Sequence, residues 1–356
     1  MTMNNITRIR QAISEQEYGA ILITSPINRL YATGFSSSAG ALLVTADDAL
    51  FLTDVRYIEA AENSISGARV RLVTTKEPYA AQIKDVLDGN GIKPVGFEDG
   101  AVTYSEYFVW KEKLQAELVP AQKLINALRE IKTHDDLAQM KKAQDLAEKS
   151  FMDILPLIST DITEKQLAAE LIYHFMKNGA DDKSFDPVIV SGARSSMPHG
   201  VPGPEKITGG FLTIDFGVKL NGWCSDTTRT LCIGKPSDEM VRVYDTVLKA
   251  QQAGIEAARA GVEAKVVDAA ARAVIEEAGY GDNFGHGFGH GLGLEVHESL
   301  KASPTSEDIL SAGAVISAEP GIYIPGRFGV RIEDVLYITE SGSENITNLP
   351  KKLLVL

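Results

Sequence analysis

Through the first 120 or so residues, short apolar runs set off by turn residues alternate with stretches of helical spacing. ILIT (21–24), ALLVT (41–45), ALFLT (49–53), VRLVT (70–74), PVGF (94–97) and AELVPA (116–121) read as strands. Between them VRYIEAAENSI (55–65), PYAAQIKDVLD (78–88) and SEYFVWKEKL (105–114) carry helical periodicity. Such alternation predicts an α/β domain. Beyond it the pattern changes. A long helix is expected from Thr133, with Thr133 and Asp136 spaced as a capping pair. A second follows from Thr163, where Thr163 and Gln166 form a capping box and Gly179 supplies the stop. Strands and turns fill 187–234. The order then recurs as a helix over 237–259, a helix over 263–278, Gly279, and Gly-rich and strand-like segments to the end. The letters of the two halves hardly match, so the internal duplication is one of pattern. We therefore expect an α/β domain over 1–124 and an α+β domain of two related halves over 125–356.

Composition narrows the function classes. The 356 residues are 44% hydrophobic and 23% charged, as in a globular protein with a sizeable core. The opening residues hold no signal-like apolar stretch, and no segment nears the roughly 18 apolar residues of a membrane span. A cytoplasmic protein with no membrane partner is expected. A net charge of −13 and no basic cluster argue against nucleic acid. Cys224 and Cys232 lack CxxC spacing and read as reduced structural thiols. GFSSSAG (34–40) lacks the spacing of a phosphate-binding motif and reads as a loop.

Five segments of the second domain place polar residues in apolar or Gly-rich surroundings. FLTIDFGVKLNGWCSDTTRTL (211–231) reads as strand, Asn221-Gly222 turn, strand. With a two-residue turn, the numbers of facing residues sum to 443, so Gly217 lies opposite Asp226 and Asp215 shares its face. Two aspartates placed diagonally, about 7–8 Å apart at Cα, repel unless a cation or shared proton lies between them. One aspartate alone would pass as a solvated side chain. In HGFGHGLGLEVHE (286–298), His286, His290 and His297 are interleaved with glycines; this is not HExxH, and it reads as a loop running into a strand LEVH. VISAEPGIYI (315–324) and VRIEDVLYI (330–338) are apolar strands interrupted by Glu319 and Glu333. Arg331 would balance one buried glutamate, but not two glutamates and two aspartates. His199, in SMPHGVPGP (196–204), would alone be an ordinary loop histidine. Four carboxylates match two divalent cations in charge, and such a neutral cluster tolerates burial. Four carboxylates with one imidazole are mostly hard ligands, which suits Mn²⁺, with Co²⁺, Fe²⁺ and Zn²⁺ also compatible.

In this order, IDFG…SDTTRT, HGFGHGLGLEVHE, EPGIY and VRIED resemble the metallopeptidases of the methionine aminopeptidase, aminopeptidase P and prolidase superfamily, with its pita-bread catalytic fold and pseudo-two-fold duplication. NRLYATGF (28–35) and TDVRY (53–57) resemble the creatinase-like N-terminal domain of the Xaa-Pro branch. The resemblance implies that Asp215 binds one metal, that Asp226 and Glu333 bridge both, and that His290 and Glu319 complete the other. It implies that His199 and His297 contact substrate and the tetrahedral intermediate, that His286 lines the pocket, and that Arg331 braces the carboxylates. Glu319 is expected to relay a proton. Ala318, Phe288 and Arg194 depart from the usual pattern and bear on pocket shape. A homodimer acting on short proline-containing peptides is implied as well.

Within that family the expectation is an Xaa-Pro dipeptidase, with Lys301 in HESLKASP meeting the C-terminal carboxylate of the substrate. The alternative is an aminopeptidase P acting on longer peptides. A non-catalytic binding protein or a creatinase-like hydrolase would have lost the metal ligands, and here the set is complete.

Overall fold

The computed structural model describes residues 5–356, and the chain divides between Arg129 and Glu130 into two compact units. In the first, β1 (Ala20–Ile23), β2 (Ala41–Thr45), β3 (Ala49–Thr53), β4 (Arg69–Leu72), β5 (Val95–Phe97) and β6 (Leu118–Pro120) form one sheet in the order β4-β3-β2-β1-β5-β6. The β1–β2 and β2–β3 pairs are antiparallel and the others parallel. Its helices are α1 (Asn5–Ile13), α2 (Pro26–Thr33), α3 (Ile58–Ser64), α4 (Tyr79–Gly89), α5 (Tyr104–Leu114) and α6 (Gln122–Glu130). Leu22, Leu43, Leu50, Ile83 and Leu87 pack its core.

The helices α1, α2 and α6 have no clear signature in the sequence. In α1 only Ile6, Ile9 and Ile13 are buried, a narrow stripe in a polar segment. In α2 the buried face includes Asn28 and Arg29. Both are held by polar partners: Asn28 Nδ2 donates to the buried Glu98 at 2.7 Å, and Arg29 donates to the carbonyls of Ser37 and Gly40, anchoring the GFSSSAG loop.

The second unit opens with α7 (His134–Ile154) and α8 (Glu164–Asn178), both with the expected capping boxes. Then follow β7 (Asp182–Lys183), β8 (Val188–Ser191), β9 (Gly210–Phe216), β10 (Val218–Leu220), β11 (Trp223–Cys224) and β12 (Thr227–Ile233). The second half brings α9 (Asp238–Ala257), α10 (Ala264–Glu277), β13 (Gly289–Gly291), β14 (Glu298–Ala302) and β15 (Val315–Ala318). It ends with β16 (Gly321–Ile324), β17 (Phe328–Arg331), β18 (Asp334–Ile338) and β19 (Ser343–Asn345). The duplication is visible in burial. Glu164, Leu167, Ala168, Leu171 and Phe175 are buried in α8, and Ala264, Val267, Asp268, Ala271 and Ile275 in α10, each a hundred positions on. Both helices start at an antiparallel bridge, Thr163 to Lys206 and Glu263 to Ile309. Two α+β halves with this order and antiparallel sheets make the pita-bread fold.

One expected strand is absent. LEVH is a run of bends, and the strand starts one residue later as β14. A bulge between His290 and Gly291 shifts the β13–β14 register, and Gly293 N donates to Glu295 O at 3.0 Å, curling the segment back on itself. Among the described residues no helix is long and apolar enough to cross a membrane.

Candidate active site

The Asn221-Gly222 turn sets the first wall. Both residues have positive φ, 52° and 85°, as a type I′ turn requires. The register sum of 443 holds on both sides of the interruption, with Leu220 facing Trp223 and Asp215 facing Thr228. Between them the ladder opens at Gly217, where a Cβ would lie 2.0 Å from the Ser225 carbonyl. Glycine there lets Ser225 approach, and Asp226 lies outside the paired strands, near enough to Asp215 for the two charges to repel. Both cysteines are buried and free.

Asp226, His290 and Glu333 each offer a donor atom within 4.8 Å of the others. His290 Nε2 lies 3.6 Å from Asp226 Oδ2 and 3.3 Å from Glu319 Oε1. Its Nδ1 bonds to the Gly291 carbonyl at 3.1 Å, so the proton sits there and Nε2 faces the carboxylates. Asp215 Oδ2 takes a 2.6 Å bond from Arg331 Nη2, while its Oδ1 is buried without a partner. Arg331 also donates to Thr228 Oγ1, Tyr323 OH and the Pro198 carbonyl, and Thr228 Oγ1 in turn donates to Glu333 Oε2 at 2.6 Å. The guanidinium thus ties together Asp215, the route to Glu333 and the loop that carries His199.

Charge explains the state of each group. Burial, then the neighbouring Glu333, Asp215 and Glu319, pushes Asp226 well above the usual carboxylate range. Burial, then Glu319 and Asp215, does the same to Glu333. Burial also raises Glu319, but the hydrogen bond and charge of His290 outweigh it and bring that carboxyl down to about 2. Burial lowers His290, and Glu319 reverses this to a net rise. His286 is lowered by burial, and its Nε2 meets Tyr323 OH at 2.9 Å. An orphaned carboxylate oxygen beside carboxyls that repel one another is a donor set that fits divalent cations.

The ten residues expected to bind metal or substrate line one cavity of about 860 Å³: Asp215, Asp226, His290, Glu319, Glu333, His199, His286, His297, Arg331 and Lys301. The His297 ring lies 4.2 Å from that of His290. Phe288 and Ala318 do not line the cavity; both are fully buried in the core, Phe288 against Gly254, where a Cβ would come within 2.2 Å of its ring. Arg194 pairs with the buried Glu164 at 3.0 Å and donates to the Val201 carbonyl, which braces the His199 loop.

Several supports were not read from the sequence. Gln251, fully buried on α9, donates to the carbonyls of Ala318 and Ile332, the residues just before Glu319 and Glu333. On α10, Asp268 accepts from Phe288 N and Arg272 donates to the His286 carbonyl, fixing the histidine-bearing loop. Lys132 and Glu298 form a 2.8 Å ion pair with side chains only 1% and 7% exposed, next to His297. Thr228 and Tyr323 were legible only as neighbours of the motifs.

A two-half α+β fold with a carboxylate-rich donor cluster lining one cavity has the makings of a metallohydrolase. The profile of metallopeptidase family M24 matches residues 138–340, and that of the creatinase/prolidase N-terminal domain matches 5–131. The chain belongs to metallopeptidase family M24, and the chemistry of that family calls for divalent metal ions. It is similar to the Xaa-Pro dipeptidase of Pyrococcus furiosus, with 36% identity covering 98% of this chain and 99% of the other. Among solved structures it is similar to an Xaa-Pro dipeptidase from Bacillus anthracis, with a TM-score of 0.95, 39% identity and 99% of each chain covered. It is also similar to the X-Pro aminopeptidase from Thermotoga maritima, with a TM-score of 0.92, 32% identity and 97% and 100% of the chains covered.

Proposed function

We propose that this enzyme is an Xaa-Pro dipeptidase working with two divalent ions, Mn²⁺ foremost, held by Asp215, Asp226, His290, Glu319 and Glu333. The observation that carries this is the convergence of those five side chains on one cavity, with the unpartnered Asp215 Oδ1 among them. Bound there, the ions supply Lewis acidity toward the scissile carbonyl and a water acidified toward neutral pH. Glu319, which lines the cavity, accepts the proton and passes it to the departing proline nitrogen. His297 and His199 face the same cavity and donate to the developing oxyanion. Arg331 holds Asp215 in place from behind. An Xaa-Pro amide has no N–H, so recognition falls on the pyrrolidine ring and the two termini. Val296, Pro198, Val201 and Phe185 offer apolar surface for the ring, and Lys301 meets the C-terminal carboxylate. The same reading carries the homodimer and the cytoplasmic location.

The test compares Ala-Pro with Ala-Pro-Ala. The wild type is expected to cleave the dipeptide faster. Lys301→Ala should raise KM for Ala-Pro about five- to tenfold with kcat little changed, as loss of a charge-assisted ground-state contact does. The tripeptide should be little affected. Equal effects on both substrates, or faster cleavage of the tripeptide by the wild type, would favour an aminopeptidase P.

A further inference from the structure

Two lysines line the cavity, Lys165 and Lys301, and among the described residues neither ammonium has a carboxylate at ion-pair distance. The acidic groups of the lining are otherwise engaged. Glu298 pairs with Lys132 and Asp186 with Lys183, each at 2.8 Å. Asp215, Asp226, Glu319 and Glu333 form the cluster opposed by two divalent ions, and Arg331 is buried against Asp215. The lining that faces a substrate therefore carries two lysines without an ion-pair partner. The terminal carboxylate of a dipeptide answers one of them.

The two lysines lie on different elements that line the cavity. Lys301 is on β14, opposite His290 in register. Lys165 is in the first turn of α8, and Lys165, Ala168, Ala169 and Ile172 all line the cavity. Their spacing of three, four and seven positions is a single helix face. The lysine stem can lie along the two alanines with its ammonium at the rim, the usual arrangement for a long cationic side chain over apolar surface.

We propose that Lys165 receives an acidic side chain on the first residue of the substrate, so that Asp-Pro and Glu-Pro are preferred over their amide isosteres. The inference rests on the dipeptidase reading, in which Lys301 takes the C-terminal carboxylate and leaves Lys165 for the side chain at the other end of the substrate. Glu-Pro and Gln-Pro have the same shape and differ in charge, so their ratio of kcat/KM on the metal-loaded enzyme isolates the effect.

The wild type should favour Glu-Pro about three- to fivefold at low ionic strength, the range of a solvent-exposed ion pair, and salt should weaken the preference. Lys165→Met should abolish it, Lys165→Glu should reverse it, and Lys165→Arg should keep it. A ratio that stays the same in all three variants, or that changes with Lys301→Ala instead, overturns the inference alone. If the wild type cleaves none of Ala-Pro, Gln-Pro and Glu-Pro, the dipeptidase reading falls and takes the inference with it.

Discussion

Replacing His290 by alanine is expected to remove metal and activity together, whereas replacing His297 should spare the metal and cost about 10²–10³-fold in kcat. The two rings touch, so proximity does not separate their roles. Orientation does. His290 is fixed on β13 with Nδ1 turned to the Gly291 carbonyl and Nε2 turned to Asp226 and Glu319. Gly289 permits that placement, because a Cβ there would fall 2.0 Å from the Ser317 carbonyl of β15. His297 lies in the bend before β14, and Asp226 and Glu319 approach His290 instead. Elemental analysis of the purified variants, alongside kcat for Ala-Pro, reads both effects. A His297 variant that loses metal while the His290 variant keeps it would show the roles to be exchanged.

Arg331→Met is expected to destabilise the metal-free protein by about 3–5 kcal/mol, the cost of leaving a buried charge without its partner. Arg331 is 3% exposed and is the cation bonded to Asp215. Without it the buried carboxyls are left facing one another. Methionine fills the volume and leaves Tyr323 OH and the Pro198 carbonyl each short of a donor. Bound metal should recover part of the loss, because divalent ions oppose the same carboxylates. Denaturant midpoints with and without metal measure both quantities. Equal stability of variant and wild type in the metal-free state would mean that the carboxylates are not desolvated as described.

The elements that were legible in the sequence are those set by local rules. Asn221-Gly222 marks a hairpin whose register holds on both sides of Gly217, with Asp215 in the ladder and Asp226 in the gap, and the Thr163 capping box marks where α8 begins. What escaped depends on partners far along the chain. Gln251 sits on a helical pattern where nothing marks it as buried, and its acceptors are 67 and 81 residues away. Asp268 and Arg272 have the spacing of a solvent-facing helical ion pair, yet Asp268 is 1% exposed and holds Phe288 N. Lys132 and Glu298 are 166 residues apart, and the β-rich letters of LEVH yield to the curl that Gly293 permits. Periodicity tells which face of an element is buried, but not which polar side chain on that face will find a partner.

The central claim is that hydrolysis depends on metal held by these five side chains. Ala-Pro hydrolysis by wild-type protein stripped of metal, with its metal content checked by elemental analysis, tests it most directly. No activity is predicted in the stripped protein, with recovery on adding Mn²⁺ or Co²⁺ as two ions per chain bind. Full activity in the verified metal-free protein would contradict the account.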